Sequence, residues 1–341
     1  MMSLKHRANF QLEETRSETN SRSGALDLLP RPPWLQEAHW PFTTYSVEVE
    51  DRHIAVTDVG RGPVLLFVHT GFWSFIWRDL IQRLTSEYRC VTFDSPGTGL
   101  SERLPLHQIS LAKAARAVAA VIEKLDLREL TLVIHDLGGP VGIAGAAETP
   151  ERIGAVAALN TFAWRPSDLR LRLMLNVVGS VPARELDVLF NALPRITASN
   201  FGIGLHLDSD DRRIFELGIG RDGLRAFHQY MADALKARAL YDKAAAMLSG
   251  PLRKLPLTTI FGERNDPFGF QERWKKLFPG ARQFVINKGN HFPMCDDPAF
   301  VAEALRSLHT EKRLLAFEQV EENEIHSCTH PNERHSAACQ F

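Results

Sequence analysis

Three polar residues fall where the chain leaves runs of apolar residues, and their types and order suit nucleophilic catalysis. Asp136 closes the run "LTLVIH" and is followed by Leu137, Gly138 and Gly139. A sharp strand-to-helix turn keeps a nucleophile exposed, and small neighbours relieve the crowding there. Gly138 and Gly139 supply that room; Ile134, two positions before, does not. Asp266 lies in "FGERNDPFG", just past a second apolar run, and His291 in "NKGNHFPMCDDP", past the last one. Taken singly these are bland: a loop Asp is usually a turn residue, a lone His structural, and Asp136 an N-cap. Taken in the order nucleophile, acid, base, each at a strand end, they read as a triad. A carboxylate is already ionised and suits displacement at saturated carbon, leaving an ester on Asp136. His291 then activates water against that ester and Asp266 orients the imidazole.

The elements that would position these residues alternate. "YSVEVE" and "HIAVTDVG" read as antiparallel strands, and "PVLLFVH", "RCVTFD", "LTLVIH" and "IGAVAALN" as strands buried on both faces. Between them "WRDLIQRL", the stretch from Ser110 and the small-residue run after Asp136 read as helices. This rhythm predicts a parallel sheet with helices on both faces. It breaks over residues 163–250, where only helical patterns occur, and resumes with "LPLTTIFGE" and "QFVIN". The predicted organisation is a flexible leader (1–42), a core in two parts (43–162 and 251–312), a helical cap inserted between them (163–250), and a disordered tail (313–341). Within the leader, Trp34 and Trp40 are expected to pack on the domain surface.

The 341 residues carry 44% hydrophobic and 24% charged side chains, as globular chains do. A net charge of -1 provides no global field to recruit nucleic acid or an acidic membrane. The four cysteines (Cys90, Cys295, Cys328 and Cys339) suggest a reducing, cytoplasmic setting rather than a disulfide scaffold. "GPVGIAG" lacks the dinucleotide fingerprint. His326, Cys328, His330, His335 and Cys339 match no zinc spacing, so neither metal nor cofactor is expected. Asp94 is expected to anchor the turn at Ser95-Pro96-Gly97.

Across roughly residues 43–312 the chain resembles the Asp-nucleophile α/β hydrolases, the haloalkane-dehalogenase-like and epoxide-hydrolase branches among them. The resemblance rests on "FVHTGFWSFIWRDLI", "FDSPGTGLSE", "VIHDLGGPVG", "ALNTFAW", "FGERNDPFG" and "GNHFPMCDDP". It implies a mostly parallel eight-stranded sheet with a helical cap, and a small apolar substrate and water as partners of a monomer or homodimer. It further implies an oxyanion hole from the N–H of Leu137 with that of Gly71 or Phe72.

The leaving group is less legible. Dehalogenases of this kind place a Trp directly after the nucleophile, and here that residue is Leu137. Trp73 and Trp164 are candidate substitutes for a halide-binding indole. An epoxide hydrolase needs a phenolic acid from the cap, for which Tyr230 and Tyr241 are candidates. Haloalkane-dehalogenase-like activity ranks first, then epoxide hydrolysis, then ring opening or decarboxylation of a lactone. The non-enzymatic alternative is a ligand receptor on a hydrolase shell.

Overall fold

The computed structural model describes residues 26–329. Nine strands form one sheet: β1 (Asp27–Leu28), β2 (Thr44–Val49), β3 (Arg52–Val59), β4 (Val64–Val68), β5 (Arg89–Phe93), β6 (Leu130–Asp136), β7 (Ile153–Thr161), β8 (Leu257–Gly262) and β9 (Arg282–Ile286). Their order is β1-β2-β3-β5-β4-β6-β7-β8-β9. β1 to β3 pair antiparallel, β3 meets β5 antiparallel, and β4 to β9 run parallel. Eight strands were expected; the ninth is the two-residue β1, drawn from the supposed leader.

The central strands are hydrophobic throughout because both their faces are covered: all nine residues of β7 are buried, and all of β6 except Asp136. β4 lies between β5 and β6, so the chain leaves it toward one side of the sheet and later returns on the other. Such a switch point opens a crevice at the carboxyl ends of the strands. His69 follows β4 there, and Asp136 ends β6.

Helices α1 (Arg78–Leu84), α2 (Leu111–Lys124) and α3 (Gly138–Ala146) connect the first parallel strands. α2 begins at Ser110, whose hydroxyl accepts the N–H of Lys113 at 3.2 Å. Between β7 and β8 come α4 (Leu169–Val178), α5 (Val181–Phe190), α6 (Ala192–Ala198), α7 (Ser209–Ala234) and α8 (Arg238–Ser249). α7 is broken at Gly220, whose φ of 57° and ψ of 176° interrupt the helix. α4, α5 and α6 lie on α7, whereas α8 packs back on α3, so the final helix of this stretch belongs with the core. α9 (Phe270–Leu277), α10 (Pro293–Asp296) and α11 (Pro298–Thr329) complete the chain.

Two expectations at the ends need correction. Residues 26–42 are built into the fold: Leu35 and Trp40 are each only 2% exposed, and the Arg31 guanidinium donates to the carbonyls of Trp40 and Phe42 at 2.6 and 3.2 Å. Apolar burial outweighs the polar composition around it. Trp34 does sit nearer the surface, edge-on to Trp73 at 5.9 Å. At the other end the backbone stays helical through Thr329 rather than becoming aperiodic at Lys312. Residues 1–25 and 330–341, with His330, His335 and Cys339 of the metal-type tail, lie outside the described residues.

Trp40 contacts Phe42 and Trp73 at 4.9 and 6.0 Å between ring centroids. Trp40→Ala should therefore cost about 3–5 kcal/mol, the usual range for deleting a buried aromatic. Urea unfolding checks this, and a loss below about 1 kcal/mol would return the segment to the surface.

Candidate active site

Asp136 sits on a strained turn. Its φ is 50°, in the left-handed region, and the β6–β7 register slips between His135 and Asp136. The Thr161 hydroxyl donates to the Asp136 carbonyl at 2.6 Å and holds the turn against the end of β7. A Cβ at Gly138 would collide with the Val68 carbonyl oxygen, so only glycine lets α3 start so close to β4. The carboxylate keeps 23% of its side-chain surface accessible inside the fold. Burial alone would raise its pKa; the contact with His291, the neighbouring His135 and the Leu137 N–H outweigh that and hold it below the usual range. It is thus ionised at neutral pH.

His291 directs Nε2 at Asp136 Oδ2 across 3.8 Å, an ion-pair distance too long for a hydrogen bond. Its loop is pinned from below by Asn160, which the sequence reading missed, and by His135, expected to help shape the turn at Asp136. The Asn160 amide donates to the carbonyls of Asn290 (2.7 Å) and His291 (2.9 Å) and accepts the Gly262 N–H at 3.0 Å. His135 Nε2 donates to the His291 carbonyl at 2.8 Å. Burial first, then neighbouring histidine charge, pull the pKa of His135 well down, so its Nδ1 is a bare acceptor for His69 Nδ1–H at 3.0 Å. His69 is itself pulled down to about 3, chiefly by burial and then by His291. Two neutral imidazoles thus lie under Asp136 as a structural layer.

Asp266 does not reach His291. Its two oxygens accept the N–H groups of Phe270 and Gln271 at 2.7 and 2.9 Å, tying it to the first turn of α9. The expected acid is therefore corrected to a helix-capping residue, as an Asp-Pro step just ahead of a helix favours. The side chain at His291 is that of Asn265, whose Nδ2 donates to Nδ1 at 2.8 Å. An amide donating here leaves the imidazole proton on Nε2, facing Asp136. Turned over, its oxygen would accept Nδ1–H and free Nε2 as a base. A carboxylate permits only the second arrangement, and adds charge-assisted strength of about twofold.

Leu137 is 1% exposed with its N–H on the Asp136 carboxylate, and Gly71 and Phe72 lie in the loop after β4. Phe72 stacks on Phe227 of α7 at 4.9 Å and meets Phe215 at 5.8 Å, so the cap roofs the site with aromatic rings. Three of the four candidates for leaving-group donation are otherwise placed. Trp73 Nε1 donates to the Phe215 carbonyl (3.1 Å), the Tyr230 hydroxyl to that of Pro96 (2.7 Å) and the Tyr241 hydroxyl to that of Ala234 (2.9 Å). Trp164 packs tilted against Trp274 at 5.3 Å beneath the Arg273 guanidinium, contacts that engage its ring and not its N–H. Burial satisfies indole and phenol groups with backbone carbonyls, and in doing so spends them. Asp94 is likewise structural, accepting from Ser74 and from the Leu100 N–H at 2.7 Å.

A family model described as alpha/beta hydrolase fold matches residues 63–203. A solved haloalkane dehalogenase from Bradyrhizobium elkani, DbeA, superposes with a TM-score of 0.68 at 15% identity over 80% of this chain and 99% of its own. The chain has the α/β-hydrolase fold. An epoxide hydrolase from Vigna radiata shares it with a TM-score of 0.67 at 20% identity, over 79% of this chain and 98% of the other. In sequence, the chain is 30% identical to haloalkane dehalogenase 2 of Mycobacterium tuberculosis over 161 residues, 47% of this chain and 54% of that protein. It is 31% identical to a cis-3-alkyl-4-alkyloxetan-2-one decarboxylase of Shewanella oneidensis over 173 residues, 48% and 53% of the two. These matches span about half the length of the curated relatives. Among the described residues no helix is long and apolar enough to cross a membrane.

The assignment of Asn265 is open to direct measurement. In nitrogen NMR of the His291 ring, Asn265→Asp should move the neutral form toward the Nδ1–H tautomer, while Asp266→Asn leaves the ring signals unchanged. Asp266→Asn should instead cost about 0.5–2 kcal/mol through its helix cap. Ring signals that follow Asp266 and ignore Asn265 would restore the original triad.

Proposed function

We propose that this chain displaces a leaving group from a saturated carbon with the Asp136 carboxylate, forming an ester on that residue. The observation that carries the proposal is an ionised, accessible carboxylate on a strained strand-to-helix turn, faced by His291. The N–H of Leu137 with that of Gly71 or Phe72 would bind an oxyanion during any later attack on the ester.

The surroundings narrow the leaving group. A halide or an epoxide oxygen departs with help from an N–H or O–H donor, yet Trp73, Tyr230 and Tyr241 donate to backbone carbonyls, which leaves the Trp164 indole as the one candidate not so used. A strained four-membered lactone needs no such donor, because opening it at the alkyl carbon releases a carboxylate. The opened product then loses carbon dioxide: the pair from the broken C–C bond forms an alkene, and the C–O bond to Asp136 breaks to restore the free carboxylate. No water enters and no base is needed, which suits a His291 backed by an amide rather than a carboxylate. The name of the Shewanella relative describes a decarboxylase of such lactones. Haloalkane dehalogenation is the second reading, favoured by the Mycobacterium relative. It would need Asn265 turned over so that His291 can activate water.

The variants Asp136→Ala and His291→Gln separate these routes with a cis-3,4-dialkyl-oxetan-2-one, a bromoalkane and an epoxide. Lactone decarboxylation, followed as alkene by gas chromatography, should vanish with Asp136→Ala. With His291→Gln it should persist within about tenfold, a smaller loss than removing a general base causes. A bromoalkane that reacts should leave its alkyl mass on Asp136 of the His291→Gln protein. Turnover retained by Asp136→Ala refutes the nucleophile, and inertness toward all three classes favours a ligand-binding shell.

The depressed pKa of Asp136 sets the pH dependence. The nucleophile is present above its folded pKa and lost as pH falls through it. Single-turnover ester formation should stay flat from pH 7 down to about pH 4, the ordinary aspartate value, and fall only below that. A decline centred above pH 5 in pH-jump kinetics contradicts the assignment.

A further inference from the structure

The outer layer of the cap carries an apolar face that the fold leaves uncovered. Leu171, Leu175 and Val188 turn inward and are buried as α4 and α5 pack on α7. On the opposite side of α4, Leu169, Leu173 and Val177 recur every four residues, at 80%, 64% and 54% exposure. Leu189 and Phe190 of α5 and Phe201 after α6 are exposed at 66%, 60% and 82%. A helix that is apolar on both faces is one built to be covered on both.

Charge decides by what. Over residues 163–203 the acidic side chains are all used internally: Asp168 pairs with Arg170 at 3.1 Å, Glu185 with Arg184 at 2.9 Å, and Asp187 accepts from buried His228 at 2.9 Å. The remaining charged residues, Arg165, Arg172 and Arg195, are exposed and make no ion pair among the described residues. A second copy of the chain docking through this patch about a two-fold axis would set those arginines against one another. An anionic lipid surface matches both the apolar side chains and the uncompensated positive charge.

We propose that α4–α6 form a lipid-docking face, with their outward apolar side chains in the headgroup–acyl boundary and Arg165, Arg172 and Arg195 on anionic headgroups. The chain would lie on the bilayer, since no described helix is fit to span it. The whole-chain charge of -1 hides this because three arginines vanish in a total of 40 Lys and Arg against 41 Asp and Glu. The docking does not depend on the chemistry at Asp136.

Sedimentation of the full chain with phosphatidylcholine vesicles, and with phosphatidylcholine–phosphatidylglycerol vesicles, tests the proposal. Binding should be strong only to the second set and weaken with added salt. The double variant Leu173→Asp with Phe190→Asp should bind at least about tenfold more weakly with an unchanged melting temperature, because both residues are exposed. Arg172→Ala with Arg195→Ala should lose about tenfold or more on the anionic vesicles alone. No binding to either vesicle, or equal binding by the Leu173/Phe190 variant, overturns the proposal. So does a dimer, seen by light scattering, that the same variant converts to monomer.

Discussion

The site depends on holding Asp136 in a backbone conformation its residue type disfavours. A non-glycine residue at φ 50° costs of order 1–3 kcal/mol and persists only when its surroundings over-determine it. Here they do. Thr161 grips the Asp136 carbonyl from β7, the Gly138 backbone presses against β4, and the His135 ring below is locked to the His291 loop. The consequence is that the carboxylate stands clear of its own strand, in reach of a substrate, while the parallel sheet stays packed on both faces.

The same economy governs the histidine. Asn160, itself at a φ of 37°, spends its whole amide joining the end of β8 to the loop bearing His291. That fixes where the imidazole is. What the imidazole does is left to Asn265, a group that can donate or accept. A neutral hydrogen bond of this kind contributes about 0.5–1.5 kcal/mol, against about 1.5–3 for one to a charged partner. The site is therefore strong in positioning and weak in base activation, the balance on which the proposed water-free reaction rests.

Much of this could be read from the residues, and the failures have physical causes. The buried strands were legible because helices on both faces demand continuous apolar runs, and Asp136 and His291 because strand ends at a switch point are where ligands bind. The acid was misread by one position. Asn265 and Asp266 share a loop, and only the turn closed by the Asn265 N–H on the Gly262 carbonyl decides which side chain faces the imidazole. Chemical suitability pointed to the aspartate; geometry gave it to the helix. The donor candidates Trp73, Tyr230 and Tyr241 failed for a related reason: the two tyrosines fall in residues 163–250 as expected, but sequence pattern cannot reveal which carbonyl a buried donor will find. Residues 26–42 were misjudged because a few buried aromatics outweigh a polar composition.

The cap resolves two opposed demands with one helix pair's worth of depth. Its inner member, α7, closes over Asp136 with Phe215 and Phe227 on Phe72 while its own backbone consumes the Trp73 indole. Those contacts exclude water and remove polar donors together, so a drier site is also one less able to assist a departing halide or alkoxide. A substrate that carries its own competent leaving group escapes that conflict. If the substrate proposed above is apolar over the rest of its length, it is scarce in water but concentrated in lipid. On the two proposals made above, the aromatic inner face and the exposed aliphatic outer face of the cap would answer the same solubility problem, one at the reacting carbon and the other at the source of supply.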